Sequence, residues 1–122
     1  MIRGIGTDIV ETDRISRAIK KDYFLKRAFS DSEIAMAKER NTDVFLAGNF
    51  AVKEAFVKAL GIGFRGIGLK DLEVLRDKYG KPFIRICNHE NIHLMDINEK
   101  NIYVSISNTN SLAVAMVVIE VD

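Results

Sequence analysis

Glu54 is the residue of this chain that most invites a chemical reading. It lies within Phe50-Ala51-Val52-Lys53-Glu54-Ala55-Phe56-Val57-Lys58-Ala59-Leu60. At about 100° per residue, its helical face also carries Ala47, Phe50, Ala51 and Val57, while Phe45, Val52, Phe56 and Ala59 fall roughly opposite. A carboxylate on a helix that is apolar on both sides needs a cation or hydrogen-bond donors, because an unpaired buried charge is too costly to keep. Lys58, one turn on, offers an ordinary i,i+4 ion pair. Small residues at Ala47, Ala51 and Ala55 equally leave room for a ligand or another chain. Asp8 is the second candidate. Two carboxylates from separate elements can hold a hard divalent ion whose other positions go to water and substrate phosphates. Spacing alone does not bring Asp8 to Glu54, and Asp8, Glu11 and Asp13 also suit a strand-end turn or a helix start.

A third feature is Gly61-Ile62-Gly63-Phe64-Arg65-Gly66-Ile67-Gly68. It follows a helix bearing Lys53 and Lys58 and contains Arg65, a setting in which amides and cations could bind phosphates. It neither follows a strand nor opens a helix, so it matches neither the dinucleotide fingerprint nor the P-loop, and a plain long connection fits as well. His89 and His93, four apart, lack a Glu-bearing zinc pattern and read as solvent-facing. Cys87 has no clear partner base and reads as a small core or strand residue.

The elements that must position these groups follow from periodicity. Ile2 to Val10 alternates as a strand, with Ile5, Thr7 and Ile9 on one face and Gly4, Gly6, Asp8 and Val10 on the other. Thr12 is placed to cap a helix carrying Ile15, Ala18 and Ile19, and Ser30 with Glu33 makes a capping-box pattern for a second short helix. A longer helix runs from about Asp43 to Leu60 and ends at Gly61. Leu72 to Ile86 reads as a hairpin turning through Asp77-Lys78-Tyr79-Gly80-Lys81-Pro82. Residues 88–100 stay ambiguous. Ile102, Val104 and Ile106 alternate in a strand, a polar turn follows, and Leu112 to Val121 is so continuously apolar that it reads as a strand buried on both faces. Helices early and strands late predict an α+β fold, a mainly antiparallel sheet packed against a long central helix and shorter helices.

Composition narrows the classes of function. At 122 residues the chain fits one domain, 1–122. Its 18 lysines and arginines against 17 acids give no field that would draw it to nucleic acid or to an anionic membrane. One cysteine allows no internal disulfide and suits a reducing compartment, so the expected location is cytoplasmic. The N-terminus starts as a strand rather than a signal segment, and no apolar run reaches membrane-spanning length.

Taken in order, Gly6-Thr7-Asp8-Ile9-Val10-Glu11 with Arg14-Ile15, Phe50 through Gly61, Asp71-Leu72-Glu73-Val74, Gly80-Lys81-Pro82 and Ser105-Ile106-Ser107 resemble the holo-[acyl-carrier-protein] synthases of the 4'-phosphopantetheinyl transferase superfamily. The resemblance implies magnesium-dependent transfer of the 4'-phosphopantetheine group from coenzyme A to a serine of apo acyl carrier protein, releasing 3',5'-ADP, in fatty acid biosynthesis. It implies that Asp8 and Glu54 ligate magnesium, that Glu54 and Lys58 are catalytic and that Lys58 meets coenzyme A phosphates. Gly61, Gly63, Lys81, Pro82, Ser107, Asn108 and Thr109 would line the nucleotide site. Arg14 and Arg17 would face the acidic helix of the carrier protein. Similar proteins form homotrimers with sites between subunits.

Two positions depart from the family pattern. Asn49 stands where an arginine is common, which removes a cation, and Asn108 stands where a histidine is common. An asparagine cannot accept a proton near neutral pH, so Asn108 is no general base; water on the metal, with Glu54 as ligand or relay, is the favoured acceptor. Two other readings remain at this level. One is a module that binds coenzyme A or a nucleotide without turnover. The other is an interaction domain in which Glu54 and Lys58 form only an ion pair.

Overall fold

A computed structural model of the chain describes residues 1–121. Strand β1 (Ile2–Glu11) leads into three short helices, α1 (Thr12–Ala18), α2 (Asp22–Ala28) and α3 (Asp31–Lys38), and then into the long helix α4 (Thr42–Leu60). A 3-10 turn at Leu69–Asp71 precedes β2 (Leu72–Arg76) and β3 (Pro82–Ile86), and a second at Glu99–Asn101 precedes β4 (Ile102–Asn108) and β5 (Leu112–Glu120). The strands form two antiparallel sheets, one ordered β1-β5-β4 and one of β2 with β3. This is the expected α+β arrangement of antiparallel strands around a central helix.

Each terminus of α4 has a local cause. The Asn41 side chain accepts from the Val44 amide at the start, and Gly61 takes a left-handed conformation (φ 80°) at the end, which a glycine adopts without a Cβ penalty. Between them, Phe45, Leu46, Phe50, Val52, Phe56 and Val57 are buried. Each such large apolar side chain contributes about 1.5–3 kcal/mol relative to exposure. The inner face of the three-stranded sheet, with Val10, Ala113, Ala115, Val117 and Ile119, closes the other side of this core.

Four expectations need correction. Thr12 does not cap α1: its amide continues the strand pairing by donating to the Ser111 carbonyl (2.9 Å), so Thr12 is the first helical residue and its hydroxyl is buried without a partner. Helix α2 is additional; it is one seven-residue segment entered at Lys21 without a side-chain cap, so neither of the usual signals marks it. Strand β5 is not buried on both faces. It alternates, with Val114 38% and Met116 47% exposed, because only the inner face is covered by α4. Cys87 lies just past β3 and is exposed. His89 and His93 are exposed as expected. No helix among the described residues is long and apolar enough to cross a membrane.

Candidate active site

The site grows from a close approach of α4 to β1. Gly4, Gly6 and Asp8 share the inner face of the strand by period-two alternation. A Cβ on Gly6 would stand 1.9 Å from the Ala55 carbonyl oxygen, and one on Gly4 would stand 1.9 Å from that of Ala59. Only glycine lets the helix backbone settle there, and Asp8, next on the same face, is carried to the helix with it. Between Phe45 and Ala59, Glu54 and Lys58 are the two side chains not buried, and they lie one turn apart on one face.

Lys58 Nζ donates to the Thr7 carbonyl (3.0 Å) and to Asp8 Oδ1 (3.1 Å). Its ion pair therefore runs across to the strand rather than back along the helix to Glu54. Burial pushes the Glu54 carboxyl above its ordinary range, and the Asp8 charge pushes it further, while Arg14 and Lys58 draw it partly back. Arg14, from α1, stands over the Phe50 ring at 5.8 Å. Strand, short helix and long helix thus bring Asp8, Glu54, Lys58 and Arg14 into one cluster.

Two carboxylates near enough to interact, with burial and then Asp8 disfavouring charge on Glu54, suit a hard cation. Among the described residues no group of three or more His, Cys, Asp or Glu could hold a metal. Asp8 and Glu54 as oxygen donors fit a hard ion that keeps several waters and takes phosphate oxygens.

The other expected site residues lie elsewhere on the chain. Gly61 and Gly63 have positive φ (80° and 64°) and face open space just beyond α4. Lys81 and Pro82 line a cavity of about 310 Å³ with Lys100 and Tyr103. Ser107, Asn108 and Thr109 are exposed at the end of β4, where Thr109 Oγ1 accepts from the Ser111 and Leu112 amides and fixes the turn. Asn108 borders a separate cavity with Arg40 and Arg76. Arg17 is exposed on α1, its Nε donating to the Asp13 carbonyl (3.4 Å).

Lys53 is not a phosphate contact. It is buried and paired with Glu33 Oε1 at 2.7 Å, its Nζ also donating to the Ala28 carbonyl at 2.8 Å. Burial lowers its pKa, and Glu33 opposes that shift. Asn49 is fully buried between them and β2: its amide donates to Glu33 Oε2 and to the Val74 carbonyl, both at 2.9 Å, and its oxygen accepts from Arg76 at 3.0 Å. The signal for this network was present in the sequence, since a helix apolar all round buries Asn49 and Lys53 by the same logic that singles out Glu54.

The profile of the 4'-phosphopantetheinyl transferase superfamily matches residues 4–117. The chain is 50% identical over 123 residues to the holo-[acyl-carrier-protein] synthase of Clostridium botulinum (strain Eklund 17B / Type B), covering 99% of each. It is 48% identical to that of Clostridium beijerinckii, covering 98% of each. Among solved structures, it is similar to the Bacillus anthracis holo-(acyl-carrier-protein) synthase in complex with CoA (3',5'-ADP), with TM-score 0.83, 35% identity, and 100% and 99% of the two chains covered. It is similar as well to the Helicobacter pylori synthase in complex with coenzyme A, with TM-score 0.82, 34% identity, and 95% and 99% covered.

Proposed function

The chain belongs to the 4'-phosphopantetheinyl transferase superfamily and is a phosphopantetheinyl transferase, and we propose that it transfers the 4'-phosphopantetheine group of coenzyme A to a serine of apo acyl carrier protein. The observation that carries this reading is the Asp8, Glu54 and Lys58 cluster, where α4 opens charged groups to solvent between Phe45 and Ala59.

In the proposed reaction the serine Oγ attacks the β-phosphorus of coenzyme A. The bond from that phosphorus to the bridging oxygen breaks, and 3',5'-ADP leaves with the electron pair. Asp8 and Glu54 would hold magnesium, which when bound neutralises charge on the pyrophosphate. Lys58, exposed and on a flexible stem, exchanges Asp8 for a phosphate oxygen and stabilises charge that grows there. Glu54, with its carboxyl raised by burial and by Asp8, relays the serine proton to water through a carboxylate oxygen. Asn108 donates a hydrogen bond to phosphate and takes no proton. Gly61 and Gly63 leave open space past the end of α4, although the Gly61 amide itself donates to the Val57 and Lys58 carbonyls, and Lys81, Pro82, Ser107 and Thr109 border the nucleotide.

Arg14 and Arg17 present a basic face of α1 to the acidic carrier, with Lys20 and Lys21 beside them; all four are exposed. A homotrimer with sites between subunits is supported by the bare outer face of the three-stranded sheet, where Ile5 and Ile9 are each 62% exposed. A cytoplasmic setting and service to fatty acid synthesis belong to the same reading through the family resemblance. Release of 3',5'-ADP tests the proposal: it should require apo carrier protein and stop when a chelator removes divalent ions. Release that continues unchanged in chelator would remove magnesium from the account.

A further inference from the structure

Asn91 ties the glycine loop after α4 to two other parts of the chain. Its Nδ2 donates to the Gly66 carbonyl and to Asp71 Oδ2 (3.1 Å), and its Oδ1 accepts from the His93 amide (2.9 Å). Reversing the carboxamide would set its oxygen against two acceptors, so the partners fix its orientation. Asp71 forms the other half of the junction: its Oδ2 also accepts from the Gly68 amide (2.9 Å), and its Oδ1 accepts from Asn88 Nδ2 (3.2 Å). The segment that carries Asn91 is itself anchored in the core by Leu94 and Ile97, whose amides donate to the Asn91 and Leu94 carbonyls. It meets the loop closely at Gly66 (φ 72°), where a Cβ would stand 3.3 Å from the His93 ring. On the loop, residues 63–66 are exposed and Ile67 is buried.

We propose that Asn91 is a positioning residue, which clamps the glycine loop at Gly66 and through the loop sets the affinity for coenzyme A. The inference rests on the expectation above that Gly61 and Gly63 line the nucleotide site. A glycine-rich segment has many conformers to lose, and ordering it on binding subtracts from affinity. Burial of Ile67 and the bond from Gly68 to Asp71 hold the far end of the loop, and the Gly61 cap holds the near end. Asn91 carries the far anchorage back to Gly66, so that only residues 62–65 stay unclamped between the two ends, and a shorter free span has fewer conformers to lose.

The peptide bond after Arg65 lies beside the clamp, and Arg65 is exposed, so tryptic cutting there, followed by intact mass, reads the loop in the whole protein. Asn91→Ala, and Asn91→Asp with a carboxylate of the same shape that donates to neither acceptor, should both be cut about 2- to 10-fold faster than wild type, the range of one net hydrogen bond. Both should raise the KM for coenzyme A by a similar factor and keep kcat, the pattern of lost ground-state binding. Coenzyme A should protect Arg65 in wild type, and in the variants at proportionally higher concentration. Thermal melting of each variant shows that the rest of the fold is kept. Equal cutting of wild type and both variants would overturn the clamp. Faster cutting with an unchanged KM and unchanged protection would overturn the positioning role, as would a loss confined to kcat. No protection of wild type by coenzyme A would remove the loop from the nucleotide site, and the proposal with it. A wild type that transfers nothing would remove the transferase reading, while the concentration of coenzyme A that protects Arg65 still decides the role of Asn91.

Discussion

Glu54 keeps its place at a cost, since burial and Asp8 both disfavour its charge. Gln preserves its volume and removes that charge. Glu54→Gln should therefore melt at or above the wild-type temperature while losing about 100-fold or more in transfer, the range of a lost proton-transfer group. Melting and kcat/KM measured on one preparation check both halves; a variant that transfers normally would contradict the assigned role. Lys53, one residue earlier, behaves oppositely. Lys53→Met leaves Glu33 buried and uncompensated, for an expected loss of about 3–5 kcal/mol in urea unfolding. A loss below about 1 kcal/mol would mean that Glu33 is neutral or solvated. Glu54 was legible because its apolar neighbours made a carboxylate anomalous. The same logic marks Lys53 as buried, but its partner was not legible, because Glu33 lies 20 residues away on α3 and spacing along one helix cannot reveal it.

At the scale of elements, the boundaries that carry chemical punctuation were readable: the Ser30 and Glu33 capping box, Gly61 ending α4 and the alternation of β1 all stand where the sequence places them. Helix α2 and the one-sided burial of β5 were not readable. The first has no cap, and the apolar outer residues of the second say only that something apolar should meet them. The contact of β1 with α4 is the arrangement on which the site depends. Gly6→Ala would drive a Cβ against the Ala55 carbonyl, so the helix must move or the strand must bend. We expect a loss of at least about 1–3 kcal/mol, typical of overpacking, together with weakened transfer because Glu54 and Asp8 ride on the two displaced elements. Denaturant unfolding and an activity assay measure the pair. An alanine variant with unchanged stability and activity would show that the approach tolerates a side chain.

For the whole molecule, the outer sheet face aligns Ile9 with Val114, Thr7 with Met116 and Ile5 with Val118, next to Tyr103 on β4. The proposed homotrimer would bury this face against neighbouring copies of the chain, and Met116→Glu at its centre should then shift the protein towards monomer in sedimentation and lower transfer with it. A monomeric wild type with full activity would remove the shared site. The transferase account as a whole is tested most directly by the intact mass of apo acyl carrier protein after incubation with this protein and coenzyme A, with and without magnesium. The account predicts a gain of one phosphopantetheine group that depends on the metal. An unchanged carrier mass, with folded enzyme and the carrier of the same organism, would contradict it.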